Sequence, residues 1–97
     1  MAVDTCRTGQ ISELKAQVWL LEQGYEVFSN VKPAGPVDLI VWNPETSEVI
    51  LIDVKTVRPI IKADGAKVYT NSTWTKPDGV RLLFYCPEED RLFWSAP

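Results

Sequence analysis

Ninety-seven residues, 45% of them hydrophobic and four of them tryptophan, are enough for one folded domain with a modest core to which a partner subunit would add. The chain has no histidine, which excludes Ser-His-Asp and Cys-His nucleophiles, HxxxH zinc sites and every hydrolytic scheme built on a catalytic imidazole. Its net charge of −3 argues weakly against a polyanionic partner, and its two cysteines, Cys6 and Cys86, have neither disulfide-framework nor zinc-ribbon spacing.

The first eight residues lack periodicity and are expected to form a loose arm. From Gly9 to Gln23, Ile11, Leu14, Val18 and Leu21 recur at spacings of 3, 4 and 3, which predicts a helix with an apolar stripe, Thr8 as N-cap and Gly24 as the C-terminal stop. Glu13 and Gln17 border that stripe and can look across a sheet edge, or Glu13 can be a solvated face residue. Tyr25 to Ser29 reads as a short strand, followed by a loop rich in proline and glycine.

Pro36 to Thr56 is the centre of the chain. Val37–Trp42 and Val49–Val57 are two nearly continuous apolar strands joined by Asn43-Pro44-Glu45-Thr46-Ser47, expected to pair as a hairpin with both faces covered. Asp38 opens the first strand, and Asp53 and Lys55 close the second on one face. A hairpin brings Asp38 and Asp53 to the same end of the ladder. Two carboxylates and an amine at the end of a core strand require an ion or a task, because burying unpaired charge costs several kcal/mol. A divalent cation answers both needs.

Beyond Val57 the pattern weakens. Arg58-Pro59 breaks the strand, Ala63–Ala66 reads as a turn, and Lys67 to Ser72 returns as a strand expected to pair with the extended third one. Thr73 to Gly79 is a polar loop. Val80–Cys86 and Arg91–Ser95 form a second hairpin turned by Pro87-Glu88-Glu89-Asp90. The charge is uneven. Residues 1–53 hold eight acids and three bases, whereas 54–81 hold six bases and two acids. This basic band fits a polyanionic substrate, or it is a set of solvated loop charges. Trp19, Trp42 and Trp94 are read as core or dimer packing and Trp74 is left open. No apolar run is long enough to span a membrane, so a cytoplasmic setting is expected.

Glu13 in a helix that runs into EQGYEVF, then VDLIVWN, then Asp53-Val54-Lys55 on the next strand, together resemble the PD-(D/E)xK nuclease superfamily. The chain looks most like its small members of the Holliday junction resolvase and intron-homing types. The similarity covers residues 9–57 and the terminal hairpin; Val37 stands where the motif has proline, with Pro36 one place earlier. The resemblance implies a restriction endonuclease-like α/β domain over residues 1–97, with a central mixed sheet flanked by the N-terminal helix. It implies a metal-dependent DNA endonuclease, a homodimer with no organic cofactor, of a kind frequent in phages. Asp38 and Asp53 would hold Mg²⁺, or Mn²⁺ in its place, with the backbone carbonyl of Val54. Lys55 would orient or deprotonate the attacking water, Glu13 would serve a second metal or its water, and Gln17 would touch the phosphate. Arg7, Lys15, Arg58, Lys62, Lys67, Trp74 and Lys76 are the expected DNA contacts. The preferred substrate is branched DNA; a sequence-selective nicking or homing-type enzyme is the alternative, and a non-catalytic DNA-binding module with the charges as a salt-bridge cluster is a third reading.

Overall fold

Asparagine at the end of one apolar strand and glutamate at the start of the next define the first hairpin. The side chain of Asn43 accepts the N–H of Glu45 at 2.9 Å, its own N–H donates to the Glu48 carbonyl at 2.8 Å, and Ser47 takes a left-handed conformation with φ 64°. This is an Asx turn, which sets the register of the strands it joins. The structure is a computed structural model and describes residues 5–31, 35–69 and 78–95.

Among the described residues one helix, α1 (Thr5–Glu22), precedes seven strands: β1 (Glu26–Ser29), β2 (Leu39–Trp42), β3 (Val49–Thr56), β4 (Pro59–Ile61), β5 (Lys67–Tyr69), β6 (Val80–Cys86) and β7 (Arg91–Trp94). Five of them make one sheet in the order β1-β2-β3-β6-β7. The β3–β6 pair is parallel and the others are antiparallel. The fold is therefore α/β, a mixed sheet flanked by an N-terminal helix, as expected from the sequence. Among the described residues no helix is long and apolar enough to cross a membrane.

The pairing of β3 changes sides along its length. Val49–Ile52 pair with β2, while Leu51–Thr56 pair with β6. From Asp53 onward, β3 has run past the start of β2, so its charged end borders a sheet edge. The core lies between α1 and one face of the sheet: Ala16 and Leu20 pack on Leu39, Val41, Ile50, Ile52 and Leu83.

Several expectations are corrected. The helix begins at Thr5, so Thr8 lies inside it rather than capping it, and residues 5–8 are helical rather than a loose arm. The stripe of Ile11, Leu14, Val18 and Leu21 faces away from the sheet, with exposures of 45–58%. The buried face is Ser12, Ala16 and Leu20, because small side chains let the helix axis approach the sheet. Gly24, with φ 95°, ends the helix where expected. Strand β5 pairs with β4, not with β3; Pro59, which has no N–H to donate, separates β4 from the strand before it. The face of the sheet opposite α1 is only partly covered: Phe84, Phe93 and Tyr69 stack over the β6–β7 end, but Ile40 and Trp42 are each 39% exposed and Val49 is 59% exposed. Trp19 and Trp94 meet edge to face at 6.0 Å against the core.

Candidate active site

Asp38 stands immediately before β2, its backbone N–H donating to the Ile52 carbonyl at 2.9 Å. Its carboxylate reaches across the gap where β2 has ended and accepts the N–H of Val54 at 2.8 Å. The hydrogen-bonding groups of one strand residue point to one side, so the Val54 carbonyl faces the same edge. Asp53 lies beside Asp38, with its side chain 14% exposed. Burial pushes the Asp53 carboxyl up to about 6; its hydrogen bond to Asp38 and the Asp38 charge push the same way, and Lys55 pulls against them. Asp53 thus ionises less readily than an ordinary aspartate, because its anion stands beside the Asp38 carboxylate in a poorly solvated corner. The Lys55 ammonium sits 3.4 Å from Asp53 Oδ2, on the same face of β3 and one-third exposed.

Glu13 completes the group from α1. It is half-buried, and its carboxyl is raised above the ordinary range by burial first and then by the Asp38 charge. The structure thus brings Glu13, Asp38, Asp53 and Lys55 into one electrostatic neighbourhood, with Glu13 standing off. Among the described residues no three acidic or thiol side chains converge tightly enough to grip an ion by themselves.

Sequence reasoning missed the fastening that holds the helix to this corner. Ser12, only 1% exposed, donates to the Thr8 carbonyl at 3.0 Å and bonds to the hydroxyl of Thr56. With the Ser12 proton committed to Thr8, Thr56 is the donor between the two. Ser12 precedes Glu13 and Thr56 follows Lys55, so the contact ties the two elements that carry them. A serine in mid-helix beside a glutamate was the available signal. Next to Asp38 opens a cleft of about 380 Å³ between the ends of β1 and β2, with walls from Phe28, Val37 and Ile40.

The expected DNA contacts fare differently. Gln17 is half-buried one turn along from Glu13, and Arg7 and Lys62 are exposed. Lys15, Arg58 and Lys67 stand in ion pairs with the β6–β7 turn: Lys15 with Asp90 at 3.2 Å, Arg58 with Glu88 at 3.8 Å and Lys67 with Glu89 at 2.7 Å. Trp74 and Lys76 lie outside the described residues.

No family model matches the chain, and no curated protein matches it either. Among solved structures it is similar to a bacterial homing endonuclease, I-Ssp6803I, with a TM-score of 0.71 at 19% identity. The match covers 97% of this chain but 66% of that one, so the chain spans just under two thirds of its neighbour's length. The likeness shows a shared fold, that of a small endonuclease-like α/β domain.

Proposed function

We propose that this chain is a metal-dependent DNA endonuclease of the PD-(D/E)xK type that hydrolyses phosphodiester bonds. The observation that carries the reading is the Asp38–Asp53 pair, with Lys55 beside Asp53 on the strand end and Glu13 within reach of the Asp38 charge. Strongly shifted carboxyls held in place by a fold are more often tools than struts. The likeness of the fold to a homing endonuclease supports it.

The donor set fits a hard cation. Two half-buried carboxylates side by side are an incomplete site that a divalent ion would complete, and Mg²⁺ commonly takes one or two carboxylates with waters and substrate phosphate filling the rest. Asp38, Asp53 and the Val54 carbonyl would hold it, and Mn²⁺ would substitute. Such an ion supplies Lewis-acid polarisation of the phosphodiester and a more acidic attacking water. The chain's own groups do the remainder. Lys55, an ammonium paired with Asp53, would orient the water and offset negative charge as it develops on the phosphate oxygens. Glu13 would ligate a second metal or hold a metal-bound water, and Gln17 would donate to the phosphate. Lys62 and Arg7 position the backbone of the duplex.

Branched DNA is the proposed substrate. The likeness to a homing endonuclease favours a second reading, a sequence-selective cutter. The test is incubation with supercoiled plasmid and with a labelled four-way junction, each in Mg²⁺, Mn²⁺ or chelator, beside Lys55→Ala. The expected outcome is metal-dependent cutting, with the junction preferred, and none by a folded Lys55→Ala. Cutting that survives in Lys55→Ala, or DNA binding equally tight in chelator with no cutting of any substrate, would replace the enzyme with a binding module.

A further inference from the structure

The cleft beside Asp38 has the walls of a site for a flat, uncharged group. Val27 and Phe28 point to opposite faces of β1: Val27 packs against the core, while Phe28 turns to the face away from α1 and is 57% exposed. Phe28 stands opposite Ile40 in the register, so the two side chains are neighbours on that face. Asn30 pins the walls together. Its backbone N–H donates to the Asp38 carbonyl at 3.1 Å, and its side-chain amide donates to the Val37 carbonyl at 2.9 Å. The volume of about 380 Å³ is at the small end for a ligand site and suits a single ring system.

We infer that this cleft receives one unstacked nucleobase, from a nucleotide next to the scissile phosphate, and that Phe28 is the surface on which the base stacks. The inference rests on the reading of Asp38 and Asp53 as the cutting site. Charge selects the occupant. Among the described residues that line the cleft, Asp38 alone carries charge, and a carboxylate repels a bare phosphate. What can enter is the uncharged part of a nucleotide. Asp38 belongs both to the cleft and to the carboxylate pair, so a base one sugar away from the scissile phosphate is within reach of Phe28. Stacking on an aromatic ring suits any base, and a base leaves its stack at least cost where pairing is already broken. The cleft therefore gives branched DNA an advantage over a continuous duplex that phosphate contacts alone do not supply.

The test is a coupling between Phe28 and the base, read as DNA binding in Ca²⁺. Four-way junctions are prepared intact and with a single abasic nucleotide at each position flanking the branch point in turn. Phe28→Ala should weaken binding of the intact junction about tenfold. Phe28→Trp should stay within about twofold of the wild type, and all three proteins should bind a continuous duplex almost equally. At one position, loss of the base should weaken the wild type about tenfold and erase its difference from Phe28→Ala. A purely structural Phe28 would lower affinity for every DNA alike. The Phe28 effect should also keep its size as salt rises, since stacking releases no counterions. Phe28→Ala that binds the intact junction like the wild type, or a loss that is the same on every abasic junction, overturns the inference and leaves the cleft to a side chain of a protein partner. If metal-dependent cutting persists in that case, the base site falls and the nuclease reading stands; a wild type that neither binds nor cuts any DNA overturns both. Phe28 is exposed, so Phe28→Ala should fold with unchanged circular dichroism.

Discussion

Two acidic clusters, similar in composition, are settled in opposite ways. In the β6–β7 turn Glu88, Glu89 and Asp90 each face a cation, and two of them also accept a tyrosine hydroxyl: Tyr69 on Glu89 and Tyr85 on Asp90, both at 2.7 Å. Hydrogen bonds from Lys67 and Tyr69 hold the Glu89 carboxyl below its ordinary range, and those from Tyr85 and Lys15 do the same for Asp90. At the end of β3, Asp53 pairs with Lys55 and lies beside Asp38, the Asp38 charge also acts on Glu13, and burial raises Asp53 and Glu13 instead. The turn is a finished structure. The β3 corner carries negative charge that the apoprotein has not paid off, which is the condition a cation or an anionic transition state would relieve.

The widest separation between the two clusters should come from Asp53→Asn. Removing that carboxylate should cut metal-dependent cleavage by about a thousandfold or more, whereas Glu88→Gln in the turn should leave cleavage within about twofold. Initial rates on the four-way junction, at matched protein concentration, measure both. Comparable losses in the two variants would mean that the turn belongs to the catalytic surface.

The same substitution should act on stability with the opposite sign. Folded Asp53 holds its proton up to about pH 6, against an ordinary value of 3.8, so the folded state binds that proton more tightly than the unfolded chain. This contribution is fully present below the ordinary value and is lost as pH rises through 6, at a cost of roughly 3 kcal/mol by neutrality. Glu89 and Asp90 run the other way: their contribution is present above the ordinary carboxyl range and lost as pH falls below it. Urea unfolding in chelator at pH 4.5 and pH 7 should therefore show Asp53→Asn gaining on the wild type as pH rises. An equal difference at both pH values would mean that Asp53 is not strained in the apoprotein.

How much of this was legible in the sequence depends on the range of the signal. The β2–β3 hairpin could be read because the alternation has period two and Asn43 fixes the turn, and together they place Asp38 beside Asp53 and Lys55 on the Asp53 face. The orientation of α1 could not, because the helix has two packable sides. A seam of Ile11, Leu14, Val18 and Leu21 outweighs Ser12, Ala16 and Leu20 by any hydrophobic count, but close approach to a sheet selects for small residues. The parallel β3–β6 pair and the capture of Lys15, Arg58 and Lys67 by the β6–β7 turn depend on contacts between distant segments, for which composition supplies no register.

Ser12→Ala tests the hydrogen bond that ties the Glu13 turn of α1 to the Lys55 end of β3. It leaves the Thr56 hydroxyl without its protein partner and should cost about 1 kcal/mol, with a modest loss of cleavage as Glu13 loosens relative to Lys55. The double variant Ser12→Ala with Thr56→Ala should cost less than the sum of the single variants, because neither hydroxyl is then left unpaired. Strict additivity would mean that the hydrogen bond contributes nothing to the joint.

The smallest effect belongs to Glu89→Gln, which asks whether the turn's cations are structural or are held in reserve for DNA. Lys67 is paired with Glu89 but is 46% exposed, so the pair adds little to folding, and the unfolding midpoint should hardly move. Neutralising Glu89 removes a repulsive charge from beside the basic band and releases Lys67 to a phosphate. DNA binding measured in Ca²⁺ should tighten by about two- to threefold at low salt, with the gain fading as ionic strength rises. If affinity is unchanged at every salt concentration, Lys67 lies off the path of the duplex, and the contacts must come from the side of the site that carries Arg7 and Gln17.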